Sequence, residues 1–420
     1  MLYQCFTVLF ALLLILGDAA SPISAWEHNW DTLLSSQFID FGYNSYTEPQ
    51  AQFLASHYAG VSIEKCSSPN MTEAVVWSSS RQVKAYNPAT RLVFYWDMDQ
   101  NNLKCYAAYE VFMSNPSWWL RDDAGVVVNV SSNQPIMDYS NVEARAWWTN
   151  VPLGGVGSPQ ALWVDGVLAD GAGATLSAAG CYHTNSRISV ARCDILVAAK
   201  STMLRELQDL LTTINGGVVL QNGLSYYSPP NSPPDFGKST LNDTLGVMNE
   251  HSAVFEQVLP TGALNTTLVA DVIETVIYAT SIGKVVILGT WPGLLVGFGK
   301  NGNPAWYNNT QPETLADWRP VMLSKHTFAA AFFMTIASNR TFMQYELWYD
   351  GFHQGVLPCD DAPTTCCAPL STTWYPNLYK PLGPPLDNAT RIGNIWTRHF
   401  TFATSTLNLD NPDASSIDFF

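Results

Sequence analysis

The chain has 420 residues, and 47% of them are apolar and 12% aromatic, so it can bury a large core and is not a disordered chain. Only 13% of the residues are charged, and the formal net charge is −15. The 20 lysines and arginines are scattered singly, which argues against binding to nucleic acid or to an anionic membrane surface.

The first 25 residues have the pattern of a signal peptide. A dense apolar run from Phe6 to Leu16 is followed by small residues, and cleavage is expected after Ala19, Ala20 or Ala25. The run is about eleven residues long, whereas a helix needs roughly twenty to span a bilayer, so a retained anchor is the weaker interpretation. We therefore predict that residues 1–25 are removed, and that the mature chain is secreted, extracellular and without a membrane anchor.

Two further patterns are typical of a secreted chain. Seven Asn-x-Ser/Thr sequons predict N-glycans, at Asn70, Asn129, Asn242, Asn265, Asn308, Asn339 and Asn388. Seven cysteines remain after the signal peptide, and none has the C-x-x-C spacing of a zinc or redox site, so disulfide bonds are expected. Cys181 is predicted to pair with Cys193. Cys359 is predicted to pair with Cys366 or Cys367, which leaves one thiol free or intermolecular.

Short segments rich in β-branched or aromatic residues recur along the chain, and a stretch of helical composition follows most of them. Eight are present, at residues 38–44, 59–65, 92–100, 162–170, 216–223, 246–251, 285–291 and 342–350. Helices are predicted between them, including 186–213, 268–281 and 313–337. This β/α alternation predicts a parallel sheet, and eight units in about 320 residues match a (β/α)8 TIM barrel. A doubly wound sheet is the alternative, but no G-x-G-x-x-G or Walker loop follows any segment.

The barrel is assigned to residues 26–350. Residues 224–240 are a Pro/Ser-rich loop and residues 351–395 a Pro- and Cys-rich segment, and loops of this length are often lids or rims of a site. The run HFTFATSTLNLDN predicts one strand appended after the barrel. Residues 351–420 are therefore expected to pack on the barrel as a Cys/Pro-rich loop and a C-terminal strand.

The catalytic groups of a TIM barrel come from the carboxyl ends of its strands. The polar or aromatic groups at the predicted strand ends are Asp40 with Asn44, Glu64 with Lys65, Asp97 with Asp99, Asp170, Asn222, Glu250 with His251, Trp291, and Glu346 with Asp350. Carboxylates crowded at one rim repel each other, which raises the pKa of some of them and suits general acid chemistry. For each one the alternative is that it caps the helix that follows.

Two of these acids are the catalytic candidates. Asp170 ends the apolar segment VDGVLADG, and the glycine after it lets the backbone turn there. Asp165 lies five residues earlier, near the opposite end of the strand, where a structural role is expected. Glu250 follows the sixth segment and could donate a proton across the barrel mouth. Glu256, in the helix predicted after it, is the rival for that role.

Aromatic rings alternate with carboxylates and amides at the predicted rim. Sugars have apolar C–H faces and polar edges, so this mixture suits a carbohydrate. The candidate substrate-binding residues are Asp97, Asp99, Glu64, Trp96, Tyr43, Asn222, His251, Trp291 and Trp348. Tyr139 and Tyr349 are also expected near strand ends. Other tryptophans are expected in the core, namely Trp118, Trp119, Trp147, Trp148 and Trp163.

Several segments together resemble the hypothetical glycosyl hydrolases, a group of glycoside-hydrolase-like TIM-barrel families. These are VSIEK, WDMD, MDYSN followed by ARAWW, VDGVLADG, and LWYDG with the later KPLGPPL. The resemblance covers most of residues 36–400. It implies a carbohydrate substrate and maps the acid that ends the DGxxxD motif onto Asp170, but it carries no motif for the partner acid.

The sequence thus predicts a secreted glycosidase that cleaves an extracellular polysaccharide or glycan without a metal or other cofactor. Asp170 would be the nucleophile or base and Glu250 the proton donor. A carboxyl separation of about 5 Å would give retention of configuration, and about 6.5–9.5 Å would give inversion. Two alternatives are a catalytically silent glycan-binding barrel of an extracellular coat and a secreted phosphodiesterase. The second needs paired histidines at strand ends, and only His251 ends a predicted strand.

Overall fold

The computed structural model describes residues 26–40, 45–63, 72–99, 106–131, 133–155, 157–172, 181, 186–224, 238–250, 264–290, 315–345 and 375–420. Eight parallel strands form a closed barrel in chain order, and the last strand pairs with the first. They are β1 Gln37–Asp40, β2 Gly60–Ile63, β3 Arg91–Asp97, β6 Gly166–Asp170, β7 Val218–Asn222, β8 Gly246–Asn249, β9 Val285–Thr290 and β10 Thr341–Tyr345. A two-stranded antiparallel ribbon, β4 Asn129–Ser131 and β5 Gln134–Pro135, lies between β3 and β6 in the chain.

The predicted (β/α)8 barrel is therefore confirmed, and each of the eight apolar segments overlaps one barrel strand. The described helices are α1 Glu48–His57, α2 Glu73–Tyr86, α3 Ala107–Met113, α4 Val142–Asn150, α5 Val190–Asn215, α6 Thr266–Ser281 and α7 Leu315–Ile336. The three predicted helices correspond to α5, α6 and α7. The fourth strand starts later than predicted, because residues 159–163 form a 3-10 turn before it.

Local signals explain where several helices begin and end. At α1 the backbone N–H of Thr47 donates to Gln50 Oε1 at 2.7 Å, as in a capping box. The side chain of Asn141 accepts from two backbone N–H groups of α4, and that of Asn265 accepts from Leu268 N in α6. After α5 the chain turns at Gly216, which has a φ of +71°, a conformation that costs glycine little.

Alternate residues of each strand point into the barrel and out toward the helices. The inward apolar residues, Val93, Tyr95 and Leu168 among them, form a separate core, and Trp26 packs against it. The outward residues join two larger clusters, one that includes residues of α2, α4 and α5, and one with α6, α7 and the C-terminal region. Among the described residues, no helix is long and apolar enough to cross a membrane.

The C-terminal region is a sheet rather than the single strand that was predicted. Four antiparallel strands, β11 Thr390–Ile392, β12 Ile395–His399, β13 Ala403–Asn408 and β14 Ser416–Phe419, are ordered β11-β12-β13-β14. The predicted strand corresponds to β13. Arg398 of β12 donates to the carbonyl oxygens of Met334 and Ala337 at 3.0 and 2.7 Å, and so holds the sheet against the end of α7.

One predicted disulfide bond is confirmed, between Cys181 and Cys193 at the start of α5. Cys359, Cys366 and Cys367 lie outside the described residues, so the second predicted pairing stays a prediction.

Candidate functional site

Four neighbouring strands bring polar side chains together at the carboxyl end of the barrel. Asp97 ends β3 and lies in register with Asp170, which ends β6. Asn222 ends β7, and Glu250 follows β8 directly. The backbone of Glu250 comes close to β9 because the facing residue is Gly289, where a Cβ atom would collide with the carbonyl group of Glu250.

The amide of Asn222 bridges the two candidate acids. Its Nδ2 atom donates to Asp170 Oδ1 at 2.9 Å and to Glu250 Oε2 at 2.5 Å. Since both oxygens accept from one nitrogen, they lie at most 5.4 Å apart, the sum of the two bond lengths. The structure therefore brings together the two acids and the amide that the sequence singled out separately, and it does so at one end of the barrel.

The Asp170 carboxylate is held by donors on both of its oxygens. Besides Asn222, the backbone N–H of Gly171 donates to Oδ1 at 2.9 Å, and the hydroxyl of Tyr95 donates to Oδ2. Tyr95 points into the barrel from β3 and is buried. Such a set of donors matches an ionised carboxylate, which can only accept hydrogen bonds.

Asp97 and Asp99 lie beside this pair. The backbone N–H of Asp99 donates to Asp97 Oδ1 at 2.7 Å, and the hydroxyl of Tyr139 donates to Asp99 Oδ1 at 3.0 Å. The pKa of Asp99 is raised, chiefly by burial and also by the charge of Asp170. The positive charge of Lys200 and the hydrogen bond from Tyr139 oppose this shift. The same surroundings, burial first and then the charge of Asp99, raise the pKa of Tyr139 well above its ordinary value.

Lys200 is a member of the site that sequence reasoning missed. It comes from α5, is buried, and donates from Nζ to the carbonyl oxygen of Gly171 at 2.6 Å. Burial lowers its pKa, while Asp99, Asp97 and Asp170 oppose that shift. A sequence signal existed, because Lys200 falls on the apolar stripe of α5, seven residues after Cys193 and three before Met203.

Two predicted rim aromatics lie elsewhere. Trp96 is fully buried on the outward face of β3, where it packs against Tyr106 and Trp148, so its assignment to substrate binding is wrong. The physical reason is strand alternation, which turns Tyr95 and Asp97 inward and Trp96 toward the helices. Tyr139 is also fully buried and contacts Asp99 instead of a rim surface.

Other strand-end predictions have separate outcomes. Asp40 at the end of β1 is buried and accepts from Gln344 Nε2 of β10 at 2.7 Å, which indicates a structural role across that seam. Asp165 has the structural role expected at the amino end of β6, since it pairs with Lys84 Nζ at 2.5 Å. The predictions for Tyr43, Asn44, Glu64, Lys65, His251, Glu256, Trp291, Glu346, Trp348, Tyr349 and Asp350 fall outside the described residues.

The sequence of this chain matches the model of one known protein family. Residues 84–260 match the sequence model of a family described as hypothetical glycosyl hydrolase family 15. Over these residues the barrel is similar to that family of glycosyl hydrolases. The matched range contains Tyr95, Asp170, Lys200, Asn222 and Glu250. The match confirms the predicted resemblance and supports the predicted enzyme class, a glycosidase. No curated protein is similar in sequence to this chain.

Several solved structures are similar at low identity. They include the Bacillus licheniformis trehalose-6-phosphate hydrolase (8% identity, 74% of this chain and 64% of that one, TM-score 0.43). A second example is a xylosidase from Aspergillus niger, with 11% identity over 76% of this chain and 44% of that one and a TM-score of 0.40. A third is an Anoxybacillus α-amylase, with 8% identity over 89% of this chain and 86% of that one and a TM-score of 0.43. This chain spans less than two thirds of the first two proteins. With TM-scores below 0.5, these similarities carry no argument about substrate.

Proposed function

We propose that this glycoside-hydrolase-like barrel is a retaining glycosidase with Asp170 as nucleophile and Glu250 as acid and base. The observation that carries the proposal is the Asn222 amide, which limits the separation of one oxygen of each acid to 5.4 Å. Retaining enzymes have carboxyl groups about 5–5.5 Å apart, whereas inverting enzymes need about 6.5–9.5 Å to admit a water molecule.

The division of roles follows from the hydrogen bonds. Asp170 accepts from Asn222 and Gly171 on one oxygen and from Tyr95 on the other, which fits an ionised nucleophile. The proposed reaction needs one proton on this pair, and two carboxylates this close repel when both are charged. That proton belongs on Glu250, the acid from which a leaving group can take it.

The proposed reaction has two steps. In the first, Asp170 attacks the anomeric carbon, the glycosidic C–O bond breaks, and Glu250 gives its proton to the departing oxygen. In the second, Glu250 takes a proton from a water molecule whose oxygen displaces Asp170 from the sugar. The sugar leaves with its original anomeric configuration, and both carboxyl groups return to their starting states.

We further propose that the substrate is an extracellular polysaccharide or glycan and that the enzyme is secreted. The signal-peptide pattern of residues 1–25 supports secretion. Exposed sequon residues at Asn129, Asn242 and Asn388 are compatible with glycosylation. The Cys181–Cys193 bond suits an oxidising compartment.

Retention can be measured directly on the secreted protein. The enzyme is screened on a panel of aryl glycosides and oligosaccharides, and the anomer first formed from an active substrate is recorded by proton NMR. Retention of configuration is the expected result. Inversion would contradict the proposed pairing of Asp170 with Glu250, and hydrolysis of phosphodiesters but not glycosides would support the phosphodiesterase alternative.

Two variants separate the proposed roles. Asp170→Asn should lose activity on every substrate, because no nucleophile remains. Glu250→Gln should lose about 10²–10⁴-fold on substrates with poor leaving groups and much less on dinitrophenyl glycosides, which leave without protonation. Asp209→Asn, an exposed change on α5, is the matched control and should remain fully active. Glycan binding without turnover in the wild type would instead favour the silent glycan-binding barrel.

A further inference from the structure

A buried lysine lies behind the turn that follows β6. The buried face of α5 is otherwise mostly apolar, with Cys193, Leu196 and Met203 on the same stripe as Lys200. An ammonium group costs free energy when it leaves water unless other groups compensate for it. The contacts of Lys200 supply this compensation.

The turn after Asp170 is enclosed between two charged groups. On one side, Lys200 Nζ donates to the carbonyl oxygen of Gly171 at 2.6 Å. On the other side lies Asp99, whose Oδ2 atom would be 3.1 Å from a Cβ atom placed on Gly171. Gly171 itself has a φ of +69°, so a larger residue would be strained there as well as crowded.

The charged groups that interact with Lys200 come from two strands. They are Asp97 and Asp99 at and just beyond the end of β3, and Asp170 at the end of β6. Tyr139 is connected to these carboxylates through its hydrogen bond to Asp99. One ammonium group thus faces three carboxylates, of which Asp170 is the proposed nucleophile.

We infer that Lys200 is a positioning residue, which holds the Asp170–Gly171 turn through the Gly171 carbonyl and supplies the positive charge behind the nucleophile. The expected effect of Lys200 on turnover rests on the proposed function, in which Asp170 is the nucleophile. Lys200 acts through the backbone and through charge.

The test uses Lys200→Met, which keeps the length of the side chain but removes its charge and its hydrogen bonds. We expect kcat to fall by about 10²-fold, the order expected for a small misplacement of a reacting group, with KM changed less than threefold. The acidic limb of the pH–rate profile should also move upward, because the carboxylates that face Lys200 lose a nearby positive charge. If Lys200→Met does not fold, Lys200→Gln replaces it.

The matched control is Lys284→Met. Lys284 Nζ also donates to a backbone carbonyl at 2.6 Å, that of Thr244, but just before β9, at the amino end of the barrel. Burial also lowers its pKa, and Asp243 opposes the shift. This variant should lose stability without a change in the pH–rate profile. Equal effects of the two variants on the profile would overturn the inference.

A second measurement does not depend on activity. The melting temperatures of wild type and Lys200→Met are compared between pH 4 and pH 7. The variant should lose more stability at pH 7 than at pH 4, because the attraction between the ammonium group and the carboxylates weakens as carboxylates take up protons. A difference that is the same at every pH would overturn the inference. A wild type without glycosidase activity would defeat the proposed function, while the melting temperatures would still decide whether Lys200 is coupled to the acids.

Discussion

The hydroxyl of Tyr95 gives a test at the scale of a single residue. It donates to Asp170 Oδ2 from inside the barrel, on the oxygen that the Asn222 amide does not bind. Tyr95→Phe removes only that donor. A hydrogen bond to a charged group contributes about 1.5 kcal/mol or more, so kcat/KM should fall at least about tenfold. Steady-state kinetics on an active aryl glycoside would measure the change.

Tyr106→Phe is the control for this prediction. Its hydroxyl is also buried, but it donates to the backbone carbonyl of Tyr95 at 3.2 Å instead of to a carboxylate. Both variants should lose some thermal stability, and only Tyr95→Phe should lose turnover. Equal kinetic losses would mean that the Tyr95 hydroxyl acts through packing and not through Asp170.

The same residues show how far single positions can be predicted from sequence. Asp170 and Glu250 were selected because each follows an apolar run, and that rule places both at the carboxyl end of the barrel. The same rule predicts Trp96 as a substrate-binding residue, and that prediction is wrong. The rule does not consider which face of the strand a residue occupies. Lys200 was missed because it is remote in sequence from every strand end, although its charge interrupts an apolar helical stripe.

At the scale of one element, β6 has two aspartates with different roles. Asp165, just before the strand, pairs with Lys84 and accepts the backbone N–H of Leu92 at 2.8 Å. Asp170 at the other end belongs to the site. Asp165→Asn should lower the free energy of unfolding by about 1.5–3 kcal/mol, because it weakens charged hydrogen bonds, and leave kcat unchanged.

Urea unfolding and steady-state kinetics on the same protein would check this separation of roles. The expected companion result is that Lys84→Met causes a similar loss of stability and that the two losses are not additive in the double variant. A fall in kcat for Asp165→Asn would show that the two ends of β6 are not independent.

The C-terminal sheet shows where reading elements from sequence fails. The barrel strands are detected because each is an apolar run, but β11 and β12 are short and largely polar. Their signal is the turn instead, since Gly393 and Asn394 form a two-residue connection between Ile392 and Ile395. Gly-Asn between two short runs predicts a hairpin, a signal that a search for apolar runs does not include.

At the scale of the whole molecule, the barrel separates stability from chemistry. Its interior is apolar at mid-height, with Leu168 and Met248 among the residues that fill it, and polar groups gather at the carboxyl end. The second large core joins α6 and α7 to the C-terminal sheet. Changes in that core should therefore alter unfolding without altering the site.

His326 of α7 gives the prediction for this core. It is buried, stacks on Tyr375 with ring centres 4.0 Å apart, and contacts Tyr345 edge-on. Burial lowers the pKa of His326 to about 3, from an ordinary value of 6.5. As the pH falls below 6.5 the unfolded chain binds a proton at this histidine and the folded chain does not, so stability is lost down to about pH 3.

His326→Phe keeps a ring against Tyr375 and removes this titration. The cost of the neutral histidine at pH 4.5 is on the order of 2–3 kcal/mol, so the variant should gain about that much stability at pH 4.5 relative to its difference from wild type at pH 7. Urea unfolding at the two pH values measures both differences. His57→Phe, which changes a partly exposed histidine stacked on Phe53, controls for the loss of a histidine as such. A His326→Phe difference that is equal at both pH values would show that His326 takes up its proton in the folded chain as readily as in the unfolded one.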